Sequence, residues 1–122
     1  TDIIDLHHAF DVFVLCSDHE GSPNAILEAM ALETPVVATH VGATPEMARH
    51  GEHALLVEPG RPDALAAAIA ATLRDPDATR QRVAAARHRA ENELSFARRL
   101  TRVEAVYDAI MAERSGRRGV QA

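Results

Sequence analysis

Three short apolar runs, each closed by turn-forming residues, punctuate the first half of the chain, and helical periodicities fill the second. Asp11-Val12-Phe13-Val14-Leu15, Val36-Val37-Ala38 and Ala54-Leu55-Leu56-Val57 lack the strict alternation of a half-exposed strand. Such runs suit strands covered on both faces in a parallel sheet. Helix signals fall between them. Ile3, Ile4, Leu6 and Phe10 suggest a short helix over residues 2–9. Ser22-Pro23 predicts a helix start, because serine caps free amides and a proline at the first helical position gives up an amide that would be unpaired anyway. That helix should run from about Pro23 to Glu33, where Thr34-Pro35 breaks it. Thr44-Pro45 repeats the device before a brief helix through Met47 and Ala48, with Gly51 as its left-handed cap. Strands separated by helices make right-handed βαβ units, so an α/β fold with a parallel, doubly wound sheet of about three strands is expected.

From Pro62 onward the chain reads as alanine-rich helices. Leu65, Ala68, Ile69 and Leu73 form one face of a helix that should break at Asp75-Pro76, and Val83, Ala86, Ala90 and Leu94 form another. Ser95 can cap a last helix, in which Phe96, Leu100, Val103, Tyr107 and Ile110 recur at steps of four, three, four and three. That stripe suits core packing or docking. Residues 114–122 lack apolar periodicity and are expected to be a disordered tail, leaving residues 1–113 as the folded unit.

Composition narrows the function. With 122 residues, 47% of them hydrophobic, the chain supports one packed domain. No apolar run approaches the roughly 20 residues that cross a bilayer, and residues 1 and 2 open no signal peptide, so a cytoplasmic chain is expected. A single cysteine, Cys16, offers neither an internal disulfide nor a zinc knuckle. The net charge of −5 argues against binding nucleic acid by neutralising phosphates. Its distribution says more: residues 1–60 carry ten acids against Arg49 alone, a net of −9. All 13 bases are arginine, so a lysine Schiff base and a lysine-tipped phosphate loop are excluded within this chain. The arginines from Arg80 to Arg102 read as the wet side of two helices; the weaker alternative is attraction to anionic lipid heads at the inner face of a membrane. The seven histidines show no metal-ligand spacing, and no metal is expected. The chain begins without Met and inside an amphipathic pattern, so it is read as part of a longer protein.

The chemistry concentrates in Glu20-Gly21-Ser22-Pro23-Asn24-Ala25-Ile26-Leu27-Glu28, at the carboxyl end of the first expected strand, where ligands of open α/β sheets bind. Gly21 lets backbone approach a ligand, and the helix should present the unpaired amides of Asn24, Ala25 and Ile26 at its positive end, an anion-binding feature. Asn24 and Glu28, four apart, share a helical face with Leu27 beside them. Two carboxylates, Glu20 and Glu28, thus bracket the helix mouth, each able to accept hydrogen bonds from a polyol. The bland reading is two solvated carboxylates near a helix start, where negative charge is mildly favourable. For Glu46, in a first helical turn, the dipole explains as much as a ligand contact would; His19, beside Glu20, is a candidate that reads as well as a surface histidine.

Glu20 and Glu28 with seven residues between them, Ala29-Met30-Ala31, the Thr34-to-Ala38 strand and Val41-Gly42-Ala43-Thr44-Pro45-Glu46 together resemble the group 1 glycosyltransferases, retaining enzymes also called family 4. The resemblance runs from about Asp2 to about Met111. It implies a GT-B enzyme of two Rossmann-like domains, of which this chain would be the later part of the C-terminal, donor-binding domain. Such enzymes move a sugar from a nucleotide-sugar donor to an acceptor, usually without a metal. By the family's pattern Glu20 would hold hydroxyls of the donor sugar as the catalytic position, Glu28 the nucleotide ribose, and the amides around Gly21, Ser22 and the helix mouth the sugar and diphosphate. The family's Arg and Lys pair has no counterpart here, and Cys16 stands where proline is common. Without those cations and the N-terminal acceptor domain, the chain alone is expected to be inactive, and an uncovered sheet edge should let it self-associate. Two rivals stay open: a nucleotide-sugar 2-epimerase of the same architecture, and a non-catalytic nucleotide-sugar binding module.

Overall fold

The computed structural model describes residues 3–19 and 23–119. Along them run α1 (Ile3–Ala9), β1 (Phe13–Leu15), α2 (Asn24–Ala31), β2 (Val36–Thr39), α3 (Thr44–Met47), β3 (Leu55–Val57), α4 (Pro62–Arg74), α5 (Pro76–Asn92) and α6 (Phe96–Gly119). The strands pair in parallel in the order β1-β2-β3. Val14 stands opposite Val37 and Val37 opposite Leu55, while Leu15, Ala38 and Leu56 form the next row. This is the α/β sheet that the apolar runs predict, with helices on both faces. Strand alternation sends Phe13, Leu15, Val36, Ala38 and Leu56 into one core with Ile26, Ala29 and Met30 of α2, Met47 and Ala48, and Ala86 and Ala90 of α5. The opposite face carries Val37 and Thr39, both buried, beneath α4 with its buried Ala68 and Thr72.

Helix ends differ in detail from the expectation. Pro23, extended at ψ 97°, is the N-cap of α2 and not its first turn, because its carbonyl already accepts the Ile26 amide at 3.2 Å. At the other end the Thr34 amide reaches back to the Ala29 carbonyl at 2.9 Å, which forces Glu33 to a left-handed φ of 60°. Helix α3 stops at Met47, since Ala48 is extended. Gly51 is left-handed, at φ 80°, but serves the turn into β3 and not a helix cap. Two imidazoles close that turn: the Arg49 amide donates to His53 Nδ1 at 3.1 Å and the Leu56 amide to His50 Nδ1 at 2.9 Å. Burial holds the His53 pKa below its ordinary value, which keeps the ring the neutral acceptor that the turn requires.

Asp75 separates α4 from α5 and caps the latter through its carboxylate, which accepts the Ala78 amide at 3.1 Å. Helix α6 continues through 114–119, over part of the stretch where a tail is expected. Residues 120–122 lie outside the described residues. Leu100, Val103, Tyr107 and Ile110 are all exposed, so the α6 stripe is no part of this core. No helix among the described residues is long and apolar enough to cross a membrane.

Candidate functional site

Because all three strands are parallel, the loops that follow them leave from one edge of the sheet, the carboxyl edge. Thr39, the last residue of β2, ties two of those exits together: its hydroxyl donates to the Ser17 carbonyl at 2.6 Å. The His40 amide extends the ladder to the Val57 carbonyl at 2.7 Å, which holds the exits of β2 and β3 side by side. Helix α2 links the parallel strands β1 and β2, so it starts at this end of the sheet.

The structure sorts the sequence-predicted residues. Glu20, Gly21 and Ser22 lie outside the described residues. Asn24 and Glu28 are both exposed and, one helical turn apart, share a face of α2, as expected. Ala25 and Leu27 are half-buried beside them. Ile26 departs from the expectation, since its amide is taken by Pro23 and its side chain is fully buried in the core. Two amides at the mouth, those of Asn24 and Ala25, are therefore without an acceptor among the described residues. Glu28 is the fifth residue of α2 and no acid occupies the first turn. The dipole explanation for Glu28 weakens accordingly, because that stabilisation fades beyond the first turn. His19 and Glu46 are exposed, the first in the β1 exit and the second on α3.

A second feature of this edge was not legible beforehand. A cleft of about 210 Å³, on the α4 side of the sheet, is lined by Cys16, Asp18, Thr39, Val57, Glu58, Gly60, Arg61, Pro62 and Leu65. Only the position of these residues just after each strand could have signalled it. Arg61 is the cation there, yet it is occupied: Nε and Nη2 donate to the two Asp63 carboxylate oxygens at 3.0 and 2.9 Å. That bidentate bond, helped by the Ala64 amide, holds the Asp63 carboxyl down to about 2 and raises the Arg61 pKa. Arg49, the single base of residues 1–60, lies 3.4 Å from Glu52. Asp18, Glu28, Glu46 and Glu58 give the edge its acidic character. Among the described residues no three His, Cys, Asp or Glu side chains stand close enough together to hold a metal ion.

A family profile described as glycosyl transferases group 1 matches residues 1–75. The glycogen synthase of Mycobacterium tuberculosis is 32% identical over 121 residues, covering 99% of this chain and 28% of that protein. Among solved structures, sucrose-phosphate synthase from Thermosynechococcus elongatus superposes with a TM-score of 0.80 at 30% identity, over 88% of this chain and 27% of its own. Anabaena HepE in complex with UDP superposes at 0.82 with 26% identity, over 88% and 30% respectively, and its complex with UDP-glucose at 0.79 with 26% identity, over 85% and 29%. The chain thus spans under a third of the length of these relatives. With a parallel sheet, a helix mouth whose Asn24 and Ala25 amides have no acceptor among the described residues, and these likenesses, the chain belongs to the group 1 glycosyltransferases.

Proposed function

We propose that the chain is the donor-binding side of a retaining GT-B glycosyltransferase, which moves a sugar from a nucleotide-sugar donor to an acceptor. One observation carries the reading: the N-terminus of α2 faces the carboxyl edge with the Asn24 and Ala25 amides lacking a described acceptor, no acid in the first turn, and Asn24 and Glu28 on the outward face. A diphosphate suits the amides, and a ribose diol suits Glu28. In this reading Glu20 accepts hydrogen bonds from donor-sugar hydroxyls, and backbone around Gly21 and Ser22 meets the sugar and phosphates. The bond from the anomeric carbon to the diphosphate oxygen breaks with its electron pair leaving on that oxygen, an acceptor hydroxyl oxygen bonds to the same carbon and gives its proton to the departing diphosphate, and fixed amides aimed at the developing charge lower the barrier. The chemistry assigned to these residues calls for no metal. The two HepE complexes, with UDP and with UDP-glucose, support a uridine-type donor.

The test is turnover of the full-length protein with labelled nucleotide sugars and candidate acceptors. Glu20→Ala should lower kcat by about a hundredfold or more, and Glu28→Ala should raise donor KM about tenfold. NMR of the product should show the donor's anomeric configuration. Label that accumulates as an epimer in no acceptor, or a Glu20→Ala variant that turns over like wild type, overturns the proposal.

A further inference from the structure

We infer that Arg89 is a positioning residue for the donor site, a step that rests on the donor-binding reading above. Helix α3 has four residues, too few to hold a helical turn unaided. It nevertheless carries Glu46, on the loop that leaves the carboxyl end of β2. What holds it comes from α5, 42 and 43 residues later: Arg89 Nε donates to the Met47 carbonyl at 2.8 Å and Nη2 to the Glu46 carbonyl at 2.6 Å. The third nitrogen, Nη1, pairs with the Glu93 carboxylate. The guanidinium is nearly enclosed, with Arg89 8% exposed, and it satisfies two of the carbonyls that the end of α3 leaves open.

The same α5 packs Ala86 and Ala90 into one core with Ile26, Ala29 and Met30 of α2. One helix therefore braces both α2, by apolar packing, and α3, by a planar fork of donors. A lysine can replace the charge but not the fork, because a single ammonium cannot span two adjacent carbonyls and a carboxylate with fixed geometry. Arg89 thus sets where Glu46 stands relative to the mouth of α2.

Steady-state kinetics of the full-length protein with its nucleotide-sugar donor test this, using Arg89→Lys, Arg89→Met, Glu46→Gln, the Arg89→Lys/Glu46→Gln double variant and Glu28→Ala. The expected result is that Arg89→Lys stays folded and raises donor KM about five- to tenfold while leaving acceptor KM in place. That effect should shrink below about twofold when Glu46 is already Gln, since coupled residues are non-additive. Should Arg89→Met not fold, Arg89→Lys decides. Arg89→Lys with unchanged donor KM beside a Glu28→Ala that raises it overturns the inference and leaves the donor site standing. So does an Arg89→Lys effect of equal size in both backgrounds, or a Glu46→Gln variant that behaves as wild type. Unchanged donor KM in Glu28→Ala brings down the donor-binding reading and this inference together.

Discussion

Two helices, α2 and α4, begin near one edge of one sheet, yet only α4 carries an acid in its first turn. At α4, Pro62 fills the first turn, Asp63 brings its own carboxylate there, and Arg61 clamps that carboxylate with two hydrogen bonds. The positive end of the helix is already satisfied. At α2 the cap is Pro23, and among the described residues no acid sits in the first turn. A helix that supplies its own anion is a structural element; one whose first amides meet no acceptor among the described residues is set up for an outside anion. The difference is carried by a few side chains, not by backbone geometry.

The largest expected effect probes what anchors the open mouth. Ile26→Ala, at a fully buried site directly under it, should cost about 2–5 kcal/mol in chemical denaturation, whereas Leu65→Ala, half-buried in α4, should cost clearly less. Next, Asn24→Asp turns α2 into a likeness of α4. It should weaken donor binding about tenfold by calorimetry while stabilising the fold by about 0.3–1 kcal/mol, because a carboxylate in the first turn complements the dipole but repels a diphosphate. Donor binding unchanged by that substitution would erase the contrast. At the far end of α2, Glu33→Gly should add about 0.5–1 kcal/mol to stability, read as a raised thermal midpoint, since glycine accepts the left-handed φ of 60° without strain. The exposed contact of Glu33 with Arg87, at 3.6 Å, offers little to lose.

The smallest effect concerns α4. Asp63 should titrate near 2 by NMR instead of at its ordinary 3.8. A depressed carboxyl contributes stability that is fully present above the ordinary value and is lost as pH falls through about 2, so the α4 start keeps its own anion through mild acid. Asp63→Asn should leave donor kinetics unchanged, whereas the opposite change of charge at the mouth of α2, Asn24→Asp, should not.

Much of this was readable in advance, and where it was not, the reasons are specific. Apolar runs such as Val36-Val37-Ala38 have one plausible fate, a doubly covered strand, and the predicted strands and helices follow from such local signals. Proline 23 misled by one residue because its carbonyl, not only its fixed φ, decides where a helix begins, and that depends on Ile26 closing a tight turn. The α6 extension past Arg114 escaped a reading based on apolar periodicity, since an exposed helix needs none.

Local order along the chain therefore determined the elements and the candidacy of Asn24 and Glu28, because each depends on neighbours within a few residues. Tertiary structure alone decided which groups are committed and which are available. Ile26 is withdrawn into the core, and Arg89 grips the backbone of α3 from more than forty residues away. Hydrogen bonds and burial of that kind arise only when distant segments meet, and no periodicity along the chain encodes them.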